Sequence, residues 1–153
     1  MFVTGCQSGG AAQSENASVP PMNARGIETV QKASGVFYYT YAETLDQIDP
    51  LSDYQEKREI TDGRLIQELK GLMASNEGYS PEFKARCLPM YEYGLEFRES
   101  PEQRTTFLFS FRCNTVQYVE DQMYKDFTPQ SVKLYSILRY EVDDDTSELM
   151  DAR

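Results

Sequence analysis

The sequence predicts an α+β domain: one mostly antiparallel sheet of about four strands, with two helices in the order β-α-β-β-β-α packed on one face. Three observations carry this. Residues 93–119 alternate apolar and polar side chains with period two around a polar turn. Residues 36–41 are all β-branched or aromatic. Leu65, Ile66, Leu69, Leu72 and Met73 recur at helical spacing.

The first strand follows Gly35 and runs to about Ala42. Its two faces are similarly apolar, which predicts a central position covered on both sides. Residues 44–60 are polar around Asp49-Pro50 and read as a loop, with a further piece of strand near Lys57 to Ile60. Asp62 is the expected N-cap of the first helix, and Asn76-Glu77-Gly78 ends its pattern. Tyr93 to Arg98 and the segment after Glu99 to Arg104 read as a hairpin. On its second strand Phe107, Phe109, Phe111 and Cys113 share the apolar face, opposite Ser110, Arg112 and Asn114. That strand is expected to continue to about Val119, turn at Glu120-Asp121-Gln122 and return through Met123 to Phe127. The last helix opens on Thr128 as N-cap and Pro129 at its first position, with Val132, Tyr135 and Leu138 on one face.

The chain divides into residues 1–6, a 7–25 tether of small and polar residues without period, a 26–141 domain and a 142–153 acidic tail. The tail's Asp143-Asp144-Asp145 lacks the glycine turn and spaced ligands of a calcium loop. No run approaches the roughly 20 apolar residues that a transmembrane helix needs, so any membrane link is expected to be covalent or peripheral.

Fifteen basic against 25 acidic residues give a net charge of -10. This surface repels phosphate backbones and anionic headgroups, so no nucleic-acid partner is expected; it suits steering of a basic protein, peptide or cation, although acidity more often serves only solubility. There is no histidine and no tryptophan. That removes the commonest general base and metal ligand, and every nucleophile paired with histidine. Carboxylate, tyrosine, lysine or isolated cysteine chemistry remains, and no cofactor or metal is expected.

Val3-Thr4-Gly5-Cys6 resembles the bacterial lipobox, in which a small residue precedes the cysteine that is lipidated. The resemblance implies a lipid anchor on Cys6, contact with the bilayer through it, and residence in the cell envelope, at the outer membrane or periplasmic face. A signal peptide needs a basic region and about 7 to 15 apolar residues upstream, and here only Met1 and Phe2 precede the box. Either the leader begins further upstream or the box is accidental. The polar stretch that follows suits a tether between anchor and domain.

Three cysteines in an exported protein leave one over, and the lipobox takes the odd one, Cys6. Cys87 and Cys113 are then the expected structural disulfide, with two free thiols as the alternative. Their spacing is not that of a redox CxxC motif or a zinc site. Closing a loop of about 26 residues is worth roughly 3.5 kcal/mol in the chain-entropy treatment, a large share of a domain's stability.

Arg86-Cys87-Leu88-Pro89, the strand Tyr93 to Arg98, and Phe109-Ser110-Phe111-Arg112-Cys113-Asn114-Thr115-Val116 together resemble a family of small, uncharacterised bacterial secreted or lipoprotein domains. Those domains share an R/K-C-x-P turn, a hairpin, and a second cysteine in an aromatic strand. The resemblance covers about residues 55 to 140. Many relatives carry a histidine after the proline where this chain has Met90-Tyr91, and the family brings no established activity with it.

Three functions fit. The first is a non-catalytic binding or accessory domain of the envelope, with Tyr91, Glu96, Glu99 and Glu102 as its expected surface. The second is an inhibitor or immunity protein for an envelope enzyme. The third is a small hydrolase using paired carboxylates, for which Glu92, Glu96 and Asp126 are the nearest candidates; such pairs sit about 5 to 9.5 Å apart.

Overall fold

The computed structural model describes residues 24–42, 49–74, 78–82 and 86–142. Cys6 with its lipobox, the 7–23 part of the tether and residues 143–153 of the acidic tail lie outside the described residues. Within them the order is α1 (Ala24–Lys32), β1 (Gly35–Thr40), β2 (Glu56–Ile60), α2 (Gly63–Met73), β3 (Tyr93–Arg98), β4 (Arg104–Ser110), β5 (Thr115–Tyr118), β6 (Met123–Asp126) and α3 (Thr128–Ser136), which runs on as a π-helical turn, Ile137–Val142. The class is α+β, with one antiparallel sheet ordered β2-β1-β3-β4-β5-β6.

The sheet has six strands, where about four were expected, and the described residues form three helices, where two were. Two sources account for the strands. The charged stretch Glu56–Ile60 pairs with β1 along its whole length and forms one edge. The expected long strand from Arg104 to Val119 folds back on itself: β4 ends at Ser110, and Asn114 takes a left-handed φ of 50° before β5 starts. Asparagine tolerates that region better than other side chains do. The extra helix, α1, starts on Ala24 and Arg25 at the end of the expected tether and buries Thr29 and Val30.

The main core lies between the helices and one sheet face. Val36 and Tyr38 of β1, Leu95 and Phe97 of β3, Phe107 and Phe109 of β4, and Val116 and Tyr118 of β5 meet Val30, Leu65, Leu69, Met73, Leu134 and Leu138. The odd-numbered apolar face read in the hairpin is the face buried here. β1 is an interior strand, between the edge strand β2 and β3, and its Phe37 and Tyr39, with Tyr41 just past its end, join a smaller cluster on the opposite face. Gly94 permits this: Tyr41 lies across it so closely that a Cβ there would sit 2.8 Å from the Tyr41 Oη.

Aspartate carboxylates accept first-turn N–H groups at α2 and α3, though only at α2 is the aspartate the N-cap itself. The Asp62 carboxylate caps α2, accepting from Arg64 N–H at 2.9 Å and Leu65 N–H at 3.4 Å. At α3 the expected cap is displaced by one position: Thr128 is the first helical residue, and Asp126 Oδ1 accepts its N–H at 2.8 Å. The buried face of α3 is Ser131 and Leu134, continued by Leu138, whereas Val132 and Tyr135 are exposed. Ser131 adapts to its buried position because its hydroxyl donates to the Thr128 carbonyl one turn earlier.

The Cys87–Cys113 disulfide is present, with Cα atoms 6.0 Å apart and a sequence separation of 26. Cys113 does not lie on the apolar strand face, where the alternation placed it. Cys113 sits in the turn between β4 and β5, half-exposed, because the strand ends three residues before it.

Candidate functional site

The sheet face away from the helices carries the polar chemistry. Strand register sets Phe37, Glu96 and Thr106 side by side across β1, β3 and β4, and sets Arg98 opposite Arg104 one step along. Glu96 is wholly buried. Its Oε1 accepts from Tyr39 Oη at 2.6 Å and from Arg98 Nη2 at 3.1 Å. Its Oε2 accepts from Arg98 Nη2 at 3.0 Å and lies 3.6 Å from Arg104 Nη1.

One buried carboxylate therefore meets two guanidinium groups whose side chains keep 31% and 39% of their surface in water. This is the arrangement in which a buried ion is tolerable: its charge and lone pairs are matched, while the cations stay partly hydrated. The Arg98 guanidinium also lies over the Phe37 ring, 4.6 Å from its centroid. Burial, and then the bond to Glu96, hold the Tyr39 hydroxyl well above the ordinary tyrosine range.

A polar cleft of about 280 Å³ opens at the end of the sheet, among the first turn of α1, the β3–β4 turn and the β5–β6 turn. Arg25, Glu102, Arg104, Glu120 and Asp121 line it. Both arginines are engaged: Arg25 Nε donates to Gln103 Oε1 at 3.0 Å, and Arg104 faces Glu96. Glu120 closes the β4–β5 ladder. The Val119 carbonyl is taken by the Gln122 N–H in the turn, so the Thr106 N–H donates to Glu120 Oε1 instead, at 2.8 Å. Burial raises the pKa of this carboxyl, against the Thr106 bonds and the Arg104 charge, which lower it.

The structure separates the sequence-predicted residues. Glu96 is a correction: alternation placed it on a solvated face, but that face is itself covered, by Tyr54 against Tyr39 and by Leu51 and Tyr91 against the small cluster. Glu99 and Glu102 are exposed in the β3–β4 turn, at the cleft end. Tyr91 is half-buried beyond the other end of β3, on the order of 25 Å away at about 3.3 Å per residue.

The three candidate carboxylates do not converge either. Glu92 Oε1 accepts from the Phe111 N–H at 3.0 Å, and Asp126 Oδ1 accepts from Thr128. Glu92 and Glu96 are four residues apart along one extended segment, about 13 Å, and Asp126 is on β6, three strands from β3. Hydrogen bonds from Thr128 hold the Asp126 carboxyl below its ordinary range. Among the described residues no group of three or more cysteines and carboxylates is placed to hold a metal ion.

Sequence reasoning missed Arg98, Arg104, Tyr39 and Glu120. A signal existed for the first two: on one hairpin face Glu96 lies two residues from Arg98 and diagonal to Arg104, within reach of long side chains. Glu120 had none, because its role depends on where the β5–β6 turn takes up the Val119 carbonyl.

Compared with protein-family models, with curated proteins and with solved structures, the chain matches none of them.

Proposed function

We propose that this chain is a lipid-anchored, non-catalytic binding domain of the bacterial envelope, and that its polar cleft receives a basic group of a partner protein. The cleft carries the reading. Three of its lining side chains are acids, its two arginines already have partners, and Glu102 makes no ion pair with any described residue. An entering ammonium or guanidinium group would meet the Glu102 carboxylate beside two further acids, Glu120 and Asp121. The net charge of -10 would steer such a partner.

The separation of Glu92, Glu96 and Asp126, each committed to a structural hydrogen bond, supports binding over two-carboxylate hydrolysis. The lipid anchor rests on the Cys6 box alone. If the partner is an envelope enzyme, the same cleft makes the domain its inhibitor or immunity protein.

The test is capture of partners from envelope extract by the full chain at low salt, followed by association kinetics. A partner with a basic face is expected, and Glu99→Gln with Glu102→Gln should slow association more than they hasten dissociation. A Cys6→Ala chain, expressed behind a complete signal peptide, should leave the membrane fraction. Turnover of a glycan, peptide or ester that is lost in Glu92→Gln, without loss of fold, would overturn the binding reading.

A further inference from the structure

We propose that the Cys87–Cys113 disulfide is a redox latch: its reduction frees residues 86–91 from the end of the sheet and uncovers the second face, while the helix-side core keeps the domain folded. The inference rests on three observations. First, the two faces are closed very unequally. Among the described residues, nineteen buried hydrophobic side chains form the helix-side core, against three on the other face, Tyr39, Tyr41 and Leu108, which lie there with the buried Glu96 and have Tyr91 among the side chains packed over them.

Second, the covering segment has few attachments of its own. From Arg86 to Tyr91 it makes no backbone–backbone hydrogen bond to any described residue; the first such bonds are at Glu92, whose N–H donates to the Phe109 carbonyl and whose carbonyl accepts from the Tyr41 N–H. Before that point its ties include the disulfide, a 3.3 Å contact of Cys113 Sγ with the Leu88 carbonyl, the Tyr91 ring, which also interacts with Tyr124, and a 3.8 Å contact from Arg112 Nη1 to Met90 Sδ. Segments held by so few contacts open locally at a small free-energy cost, well below that of global unfolding.

Third, both cysteines are half-exposed and lie outside the main core, so a thiolate can reach the bridge without unfolding the domain. In the exchange, a small dithiol attacks one sulfur, forms a mixed disulfide, and closes on itself as the second protein sulfur leaves. The dithiol is oxidised by two electrons, and the bridge takes them up with two protons as two thiols.

The experiment compares Tyr91 with Tyr38, which is fully buried on the helix side. The full chain, oxidised or reduced with dithiothreitol and alkylated, is nitrated with tetranitromethane, and each tyrosine is followed by peptide mass spectrometry. Reduction should raise the rate at Tyr91 by about tenfold or more and leave Tyr38 unreactive. The Cys87→Ser/Cys113→Ser chain should behave as the reduced one. Parallel rises at Tyr91 and Tyr38 would mean that the bridge holds the whole domain, and an unchanged Tyr91 would mean that it holds nothing; either result overturns the latch.

Discussion

The Tyr39 hydroxyl donates to the buried Glu96 carboxylate at 2.6 Å, joining β1 to β3 through side chains on the face that no helix covers. Tyr39→Phe leaves that oxygen short of one donor and is expected to cost about 1–3 kcal/mol. Glu96→Ala is expected to cost about 3 kcal/mol, the low end for breaking a buried pair, because the stranded arginines are partly hydrated. Urea denaturation midpoints at unchanged slope measure both. A Tyr39→Phe midpoint equal to the wild type would show that the bond contributes nothing to stability.

Glu120 gives stability a pH dependence of opposite sign to that of most carboxylates. Its folded-state pKa is raised, chiefly by burial, so the stability linked to its proton is complete below the ordinary carboxylate range. That stability is lost as pH rises through the folded-state value. Glu120→Gln keeps an acceptor for the Thr106 N–H and removes the ionisation. It should therefore raise the urea midpoint slightly at neutral pH, since much of the Glu120 side chain stays in water, with the advantage disappearing near pH 4. A variant less stable than wild type at pH 7 would show that the charge interaction with Arg104 outweighs desolvation.

Gly94 is required by close approach. An alanine Cβ would meet Tyr41 Oη at 2.8 Å and its Cε2 at 3.0 Å, and moving the ring breaks the bond that Oη donates to the Pro50 carbonyl. Gly94→Ala should cost about 1–3 kcal/mol, as overpacking does. In Tyr41→Phe the nearest atom is absent, so the alanine should cost less there. Thermal unfolding of the four chains in the cycle measures the difference, and strict additivity would refute the contact.

How much was legible depended on whether an element's side chains carried their own explanation. Asp62 and the Leu65, Leu69, Met73 stripe define α2 without outside help, since cap and face are local patterns. The β3–β4 hairpin was equally plain, because a strand buried on one face must alternate. The β4–β5 turn was hidden by continued alternation through Phe111 and Cys113, although the phase of apolar residues moves from odd numbers at Phe107 and Phe109 to even ones at Val116 and Tyr118. That shift marks a change of strand. β2 was only half legible, because the charged sequence EKREI belongs to a sheet edge, where charge discourages further pairing.

By itself, then, the sequence determined the α+β class, the hairpin, the Asp62 cap of α2 and the cysteine pair, because each follows from short-range periodicity or from counting. Only the tertiary structure decided that Glu96 is buried and Tyr91 far from Glu102, and that Glu120 completes a ladder. Alternation says which side chains share a face. Whether that face meets water depends on what the rest of the chain lays over it, and here Leu51, Tyr54 and Tyr91 arrive from segments distant in sequence.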